Sequence, residues 1–309
     1  MPSIFNGVPW YDQHQQVVNA SGGCLIQENG NYYLFGEYHQ PDSITFAGFS
    51  RYVSTDLEHW KDTGLALSPQ PSGLLGPHRI GDRVKVIQAK TGQYIMLMHT
   101  DDERTFDPVV AYATADHLTD TFEFQGPLRY ENQTIRMWHI GSFTDDDGTN
   151  YLLTHEGDIY RLAADGKTAE AKVISNIAPG TEAPAMFHFN DHYFFLASQK
   201  TSWDHNDNIY FTADRLNGPW TPHGPFCPSG TLTYNSQTAF VTLITTAKGT
   251  VPLYLGDRHT YPYLNNSTHV WLPLTVNGTE LSIPHYWPRW DWYEQDAQPM
   301  TFNSLAWTG

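Results

Sequence analysis

Apolar and polar residues alternate along this chain in short runs, and the runs repeat. An apolar stretch, a turn signal and an aromatic-rich stretch occur together at Gly23–Glu37, Val84–His99, Ile140–His155, Ala183–Ser198 and Ala239–Asp257. A period of two sends successive side chains to opposite faces of a strand. The turns fall at Asn29-Gly30, Thr91-Gly92, Asp147-Gly148, Asn190-Asp191 and Lys248-Gly249. Gly, Asn and Asp supply the positive φ angles that tight hairpins require. A second alternating element follows each hairpin, at Ser50–Trp60, Val110–Phe122, Ile159–Glu170, Ile209–Trp220 and His269–Leu281. One copy of both elements makes four antiparallel strands, the content of one propeller blade. The pattern therefore predicts an all-β fold: a five-bladed β-propeller of four-stranded antiparallel blades, forming a single domain over residues 1–309. The Trp-rich stretch Trp287–Trp292 is expected to close or cap the ring. No long stretch carries a 3.6-residue apolar period, which argues against an α/β barrel. A β-sandwich would place some seven strands in about 100 residues, a different spacing.

Composition narrows the ligand. Thirty-three acidic residues against seventeen basic give a formal charge of −16, which repels phosphate backbones and disfavours nucleic acid. Ten Trp and eighteen Tyr, set among short polar side chains, suit the apolar faces and hydroxyls of a sugar. Most of these aromatics are expected to be sheet core. The two cysteines define no pairing and no metal spacing. No apolar run approaches the ~18 residues of a membrane span. The first thirty residues show no basic stretch followed by an apolar one. The chain as given thus reads as cytoplasmic, or as secreted if a leader has been removed.

In a propeller the first strands of all blades converge on one axis. Residues at their starts are Ser21-Gly22, Arg83 and Lys85, His139, Glu182, and Ser236-Gln237. The far ends of the same hairpins add Glu37, His99, His155 and Asp257-Arg258. Glu182 heads an apolar strand, where a carboxylate is costly unless paired or functional. Burial there would favour its protonated form, as a proton donor to a glycosidic oxygen requires. Glu37 is the other carboxylate placed near the axis, expected to act as base or to orient a water. Gln237 cannot take a proton at neutral pH and is expected to orient the water or bind a hydroxyl. Ser21, Arg83, Trp138, His139, Trp203, Asp257 and Arg258 are the expected sugar contacts, with Trp10 or Asp12 as further candidates. The run Asp145-Asp146-Asp147-Gly148 is expected to be a hairpin turn, because the spacing of a calcium loop is absent. The scattered histidines predict no metal ligands.

The sequence resembles glycoside hydrolase family 43, and within it the exo-β-1,3-galactanase-like branch. The matching runs are Val18–Gly23, Tyr32–Glu37, Arg83–Val86, Phe143–Gly148, Glu182–Phe187, Ser236-Gln237, Tyr254–Arg258 and Val270–Leu274, in family order. The resemblance implies a five-bladed propeller, an inverting exo-type site on its axis, and Glu182 as general acid. It also implies that Glu37 and Gln237 surround the attacking water. No cofactor is implied for the reaction; a Ca²⁺ on the axis, held through water by a His, occurs in the family. Two positions depart from the family pattern. Ser21-Gly22 stands where many members have a base Asp and the branch has His. His139 stands where an acid-tuning Asp is usual. The sequence thus predicts an exo-acting inverting hydrolase that releases a terminal galactose-like sugar from an oligosaccharide or polysaccharide side chain. The alternatives are an α-L-arabinofuranosidase, a β-galactofuranosidase, or a sugar-binding propeller without activity.

Overall fold

The computed structural model describes residues 2–297. Met1 and residues 298–309, the ends of the expected domain, lie outside the described residues. The chain is almost entirely β. Five sheets follow one another along the sequence, each built on a meander of antiparallel neighbours, with one added parallel pair, Tyr130 beside Ala169, in the third. The first contains Ser21–Glu28, Asn31–Glu37, Phe49–Ser54 and Lys61–Leu67. The second contains Arg79–Gln88, Tyr94–Asp102, Val109–Ala115 and Glu123–Pro127. The third is built on Ile140–Thr144, Asn150–Thr154, Ile159–Leu162 and Ala169–Ile174, and two short strands, Arg129–Tyr130 and Gln133–Thr134, widen it to six. The fourth contains Thr181–Phe189, His192–Gln199, Ile209–Ala213 and Thr221–Pro225.

The fifth sheet stops at three strands: Gln237–Thr246, Gly249–Arg258 and Thr268–Pro273. The segment expected as its fourth strand forms a separate hairpin instead, Thr275–Asn277 with Glu280–Ser282. Pro273, which has no N–H for a ladder, ends the third strand. At the termini Ser3–Phe5 pairs with Arg289–Asp291, which joins the start of the chain to the Trp-rich stretch.

All five expected hairpin turns form, and Asn29, Gly30, Asn190 and Asp191 carry the positive φ that motivated them. Asp145–Gly148 is a hairpin turn as well, with Asp145 N–H donating to the Thr149 carbonyl at 2.9 Å.

The core consists of five apolar clusters, each between two consecutive sheets. Phe35 and Phe49 meet Val84 and Met96; Leu97 meets Leu152; Leu153 meets Phe195; Leu196 meets Tyr254. The last cluster joins the fifth sheet to the first through Trp271, Leu34 and Trp60. Likewise the first strand of each sheet lies beside that of the next, and that of the fifth lies beside that of the first. Trp271 is fully buried there, edge-on to Trp10 at 4.8 Å and to Trp60 at 6.0 Å, and its carbonyl accepts from Trp290 Nε1 at 3.0 Å. Trp271→Ala is expected to cost about 3–5 kcal/mol, read as a lower urea midpoint with an unchanged slope.

Candidate active site

One irregularity recurs at the same place in four sheets and builds the site. The first strand is bulged just after its start: between Ser21 and Cys24, Asp82 and Lys85, Glu182 and Ala185, and Thr238 and Phe240. A bulge inserts an unpaired residue and re-aims its neighbours. Gly22, Arg83 and Ala183 take positive φ in these bulges, and His139 does so just before the third sheet. Strict alternation would give each strand one inward residue at this level. In the second sheet the bulge brings consecutive residues, Asp82 and Arg83, to the same space.

That space is a cavity of about 140 Å³. Of the residues expected from sequence, Glu37, Arg83, His139, Glu182, Trp203 and Gln237 line it. Asp82, Ser202 and His259 line it too and were not expected. Asp82 escaped notice because alternation groups Arg83 with Lys85 and sends Asp82 to the opposite face. The bulge cancels that count. Across the ladder Asp82 pairs with His99, a residue already placed near the axis, and that pairing was the available signal.

Ser21, Trp138, Asp257 and Arg258 are not part of the cavity lining. Ser21 is buried with no partner for its hydroxyl. Trp138 is exposed and stacks on His155 at 5.3 Å. Asp257 is a buried anchor that accepts the Gly22 N–H at 2.7 Å and faces His269 Nδ1 at 3.3 Å. Arg258 grips backbone: Nε donates to the Asn235 carbonyl at 3.1 Å and a terminal nitrogen to that of Tyr234 at 2.7 Å. These carbonyls belong to Leu232–Asn235, a left-handed turn in which four consecutive non-glycine residues have φ of 52–56°. Such backbone costs roughly 1–2 kcal/mol per residue. It leads directly into Ser236-Gln237, so Arg258 holds the approach to Gln237. Trp10 packs in the core on His269, and Asp12 caps the N–H groups of His14 and Gln16.

The two expected carboxyl groups are shifted in opposite directions. Burial raises the pKa of Glu182 above the usual carboxyl range, and Arg83, the Gln237 amide and Lys200 offset this only in part. Glu182 Oε1 accepts from Gln237 Nε2 at 3.0 Å, and Oε2 lies 3.7 Å from His139 Nδ1. Burial also drives the His139 pKa well down, with Arg83 and neighbouring imidazoles adding to it, so its ring is neutral beside the acid. Glu37 behaves oppositely. Burial would raise its pKa, but the His39 hydrogen bond and the charges of His39 and Arg83 hold it below the usual range. Its Oε1 accepts the Arg83 N–H at 2.7 Å and its Oε2 meets His39 Nε2 at 3.0 Å. The carboxylate lies so close to Gly22 that a Cβ there would sit 1.7 Å from Oε1.

Asp82 stands between these cases. Burial first, then the negative charge of Glu37, raise its pKa to about 6. A carboxyl group poised there can both lose and take up a proton near neutral pH. Gln237 is saturated by protein groups: Nε2 donates to Glu182 and to Ser198 Oγ, and Oε1 accepts from Arg83 and from His259 Nε2. Burial lowers the His259 pKa to about 4, so this ring is neutral too.

A Ca²⁺ on the axis is a poor fit by direct ligation. Ca²⁺ takes six to eight oxygens, while the buried axial groups His99, His139 and His155 offer nitrogen. The Gly22 and Gly23 carbonyls are already taken by Lys85 Nζ, at 2.7 and 3.0 Å.

An acid with a raised pKa and separately anchored carboxylates lining one small polar cavity match the chemistry that a two-carboxylate glycoside hydrolase site needs. Sequence comparison carries this further. The profile of glycosyl hydrolases family 43 matches residues 18–272. An exo-β-1,3-galactanase candidate from Bifidobacterium bifidum s17 is 32% identical and superposes with a TM-score of 0.83, over 90% of this chain and 95% of that one. The exo-β-1,3-galactanase of Phanerochaete chrysosporium, solved with galactose, is 30% identical with a TM-score of 0.83, over 91% of this chain and 66% of that one. That of Clostridium thermocellum is 28% identical with a TM-score of 0.83, over 93% and 66%. No curated protein sequence gives a significant match. The chain belongs to glycosyl hydrolases family 43, and within it to the exo-β-1,3-galactanase-like branch. It is an exo-acting, inverting glycoside hydrolase.

Proposed function

We propose that this enzyme releases single galactose units, with inversion, from the non-reducing ends of β-1,3-linked galactan chains or side chains. The observation that carries the reading is the small cavity with Glu182 in its wall: it has room for about one sugar ring. Kinship with the galactanase branch supports galactose as that ring. Glu182 protonates the departing glycosidic oxygen. A water on the opposite face of the ring attacks the anomeric carbon and gives its proton to Asp82. Glu37, ionised and fixed by His39 and the Arg83 N–H, keeps Asp82 from ionising early and orients the water through its remaining lone pairs. Gln237 fixes the rotamer of Glu182 and stabilises the carboxylate left after proton transfer. Acid, base and orientation all come from side chains, so the reaction needs no cofactor.

The test is incubation with β-1,3-galactotriose labelled at its reducing end. Galactose and labelled galactobiose are expected as first products, with α-galactose the first anomer seen by proton NMR. Release of internal fragments, or of arabinose alone from p-nitrophenyl arabinofuranoside, overturns the proposal.

The rim suggests how the leaving chain is held. Trp203 reaches from the fourth sheet and stacks on Tyr261 of the fifth at 5.0 Å, and both rings are exposed. Trp203→Ala is expected to raise KM for galactotriose roughly five- to tenfold, from ~1 kcal/mol of lost stacking, and to leave KM for p-nitrophenyl galactoside nearly unchanged.

We further propose that the five sheets are the blades of a five-bladed propeller forming one catalytic domain. The cyclic order of first strands and the five inter-sheet clusters support this. A single cooperative unfolding transition is expected in calorimetry; two separated transitions would speak for two domains.

A further inference from the structure

We propose that His99, held by Asp101, is a positioning residue that fixes Asp82 and accepts its proton, forming a buried carboxylate–imidazole–carboxylate series that ends in the cavity. The inference rests on the reading of Asp82 as the group that deprotonates the water.

His99 and Asp101 are two residues apart on the strand Tyr94–Asp102, so their side chains share a face. His99 is paired directly with Asp82 across the ladder. Its Nδ1 lies 3.8 Å from Asp82 Oδ2, and its Nε2 lies 3.5 Å from Asp101 Oδ2. Asp101 is fully buried, and its other oxygen accepts the N–H groups of Asp102 and Asp107, both at 2.8 Å. Those donors and His99 hold Asp101 ionised against the effect of burial. Both ring nitrogens of His99 and Asp101 Oδ2 are buried without a hydrogen-bond partner. Buried polar atoms seldom stay unpaired without a role. Catalytic hydrogen bonds are often long before substrate binds and shorten with it. Orphaned Nε2 facing orphaned Asp101 Oδ2, with orphaned Nδ1 facing Asp82 on the other side of the ring, fits a series that closes in the working complex.

The groups that face His99 fix the direction of transfer. Asp101 can only accept, so the ring proton belongs on Nε2 and the Nδ1 lone pair points at Asp82. From the third sheet come His139, with its ring centroid 6.3 Å away, and His155; burial keeps both neutral. Arg83, beside Asp82 in the bulge, and His39, paired with Glu37, are the cations near Asp82, and Glu37 is the anion near it. As the water oxygen bonds to the anomeric carbon, one O–H bond breaks and its proton passes to Asp82. Asp82 then gives a proton to Nδ1, leaving an imidazolium between two carboxylates. That proton returns to solvent when the sugar leaves, and Glu182 regains from solvent the one it gave to the leaving oxygen. No oxidant, reductant or second substrate is needed.

The test combines histidine ¹⁵N NMR on the wild-type enzyme with pH profiles of Asp101→Asn, His99→Gln and Asp82→Asn. His99 is expected as the Nε2–H tautomer in the wild type. An Asn at 101 can donate to Nε2 and turn the ring to the Nδ1–H form, which can no longer accept from Asp82. Asp101→Asn is therefore expected to lower kcat on galactotriose by at least about tenfold with KM little changed, and to move the acid limb of kcat/KM. His99→Gln should move the same limb. An Nδ1–H tautomer in the wild type overturns the proposal, whether or not the variants fold. So does a loss of kcat with the limb unmoved. Near wild-type activity in Asp82→Asn overturns the underlying reading instead.

Discussion

Glu182→Gln is expected to lower kcat on β-1,3-galactosides by about 10²–10⁴-fold, the usual contribution of general acid catalysis. A galactose leaving group must be protonated as it departs, and Glu182 is the cavity acid whose pKa burial raises. Aryl galactosides with good leaving groups need little protonation and should lose far less. The basic limb of the wild-type pH profile reports ionisation of Glu182 and should vanish in the variant. Gln at 182 keeps the shape and the contact to Gln237, so the unfolding midpoint should hardly move. Small, equal losses on both substrate types would remove Glu182 from the role.

The second large effect separates the two remaining carboxylates. Asp82→Asn should depress turnover on natural and activated substrates alike, by about 10²–10⁴-fold, because water must be deprotonated whichever group leaves. Its raised pKa of about 6 sets the sign of the pH dependence. Activity needs Asp82 ionised, so wild-type kcat/KM should fall as pH drops through about 6, and the variant should lose that limb. Azide attacks without losing a proton and should restore Asp82→Asn, yielding a glycosyl azide of inverted configuration. Glu37→Gln should act differently. Its ion pair with His39 is buried, so the change removes the anion that holds His39 charged and should cost stability by about 3–5 kcal/mol. Folded-state Glu37 is ionised below its ordinary pKa; its contribution is therefore present above pH ~4.5 and is lost as pH falls through the lower folded value. Azide rescue of Glu37→Gln but not of Asp82→Asn would exchange the two roles.

The hairpin repeat and its turns were legible in the sequence, because they depend on local chemistry; the two short strands added to the third sheet and the separate hairpin after the fifth were not. Asn29-Gly30 turns a chain whatever surrounds it, and alternation needs only the next residue. Glu182 was legible for a related reason: a carboxylate heading an apolar run is anomalous in any all-β fold. Family motifs supplied the branch, which no alternation could.

Tertiary structure alone decided where the side chains at the axis sit and which way their pKa values shift. A bulge moves side chains by one position, so Asp82 entered the cavity against the sequence count. Arg258 looked like a sugar contact until the carbonyls of Tyr234 and Asn235 came within its reach. Glu37 and Asp82 are both simple acids on paper. His39 and the Arg83 N–H make one a fixed anion, and burial together with the field of that anion raises the pKa of the other to about 6. The sequence by itself determined where strands begin and turn, since those preferences act over two to four residues. Protonation and aim are set by burial and by charges many residues away in the chain, and these exist only once the sheets have packed around the axis.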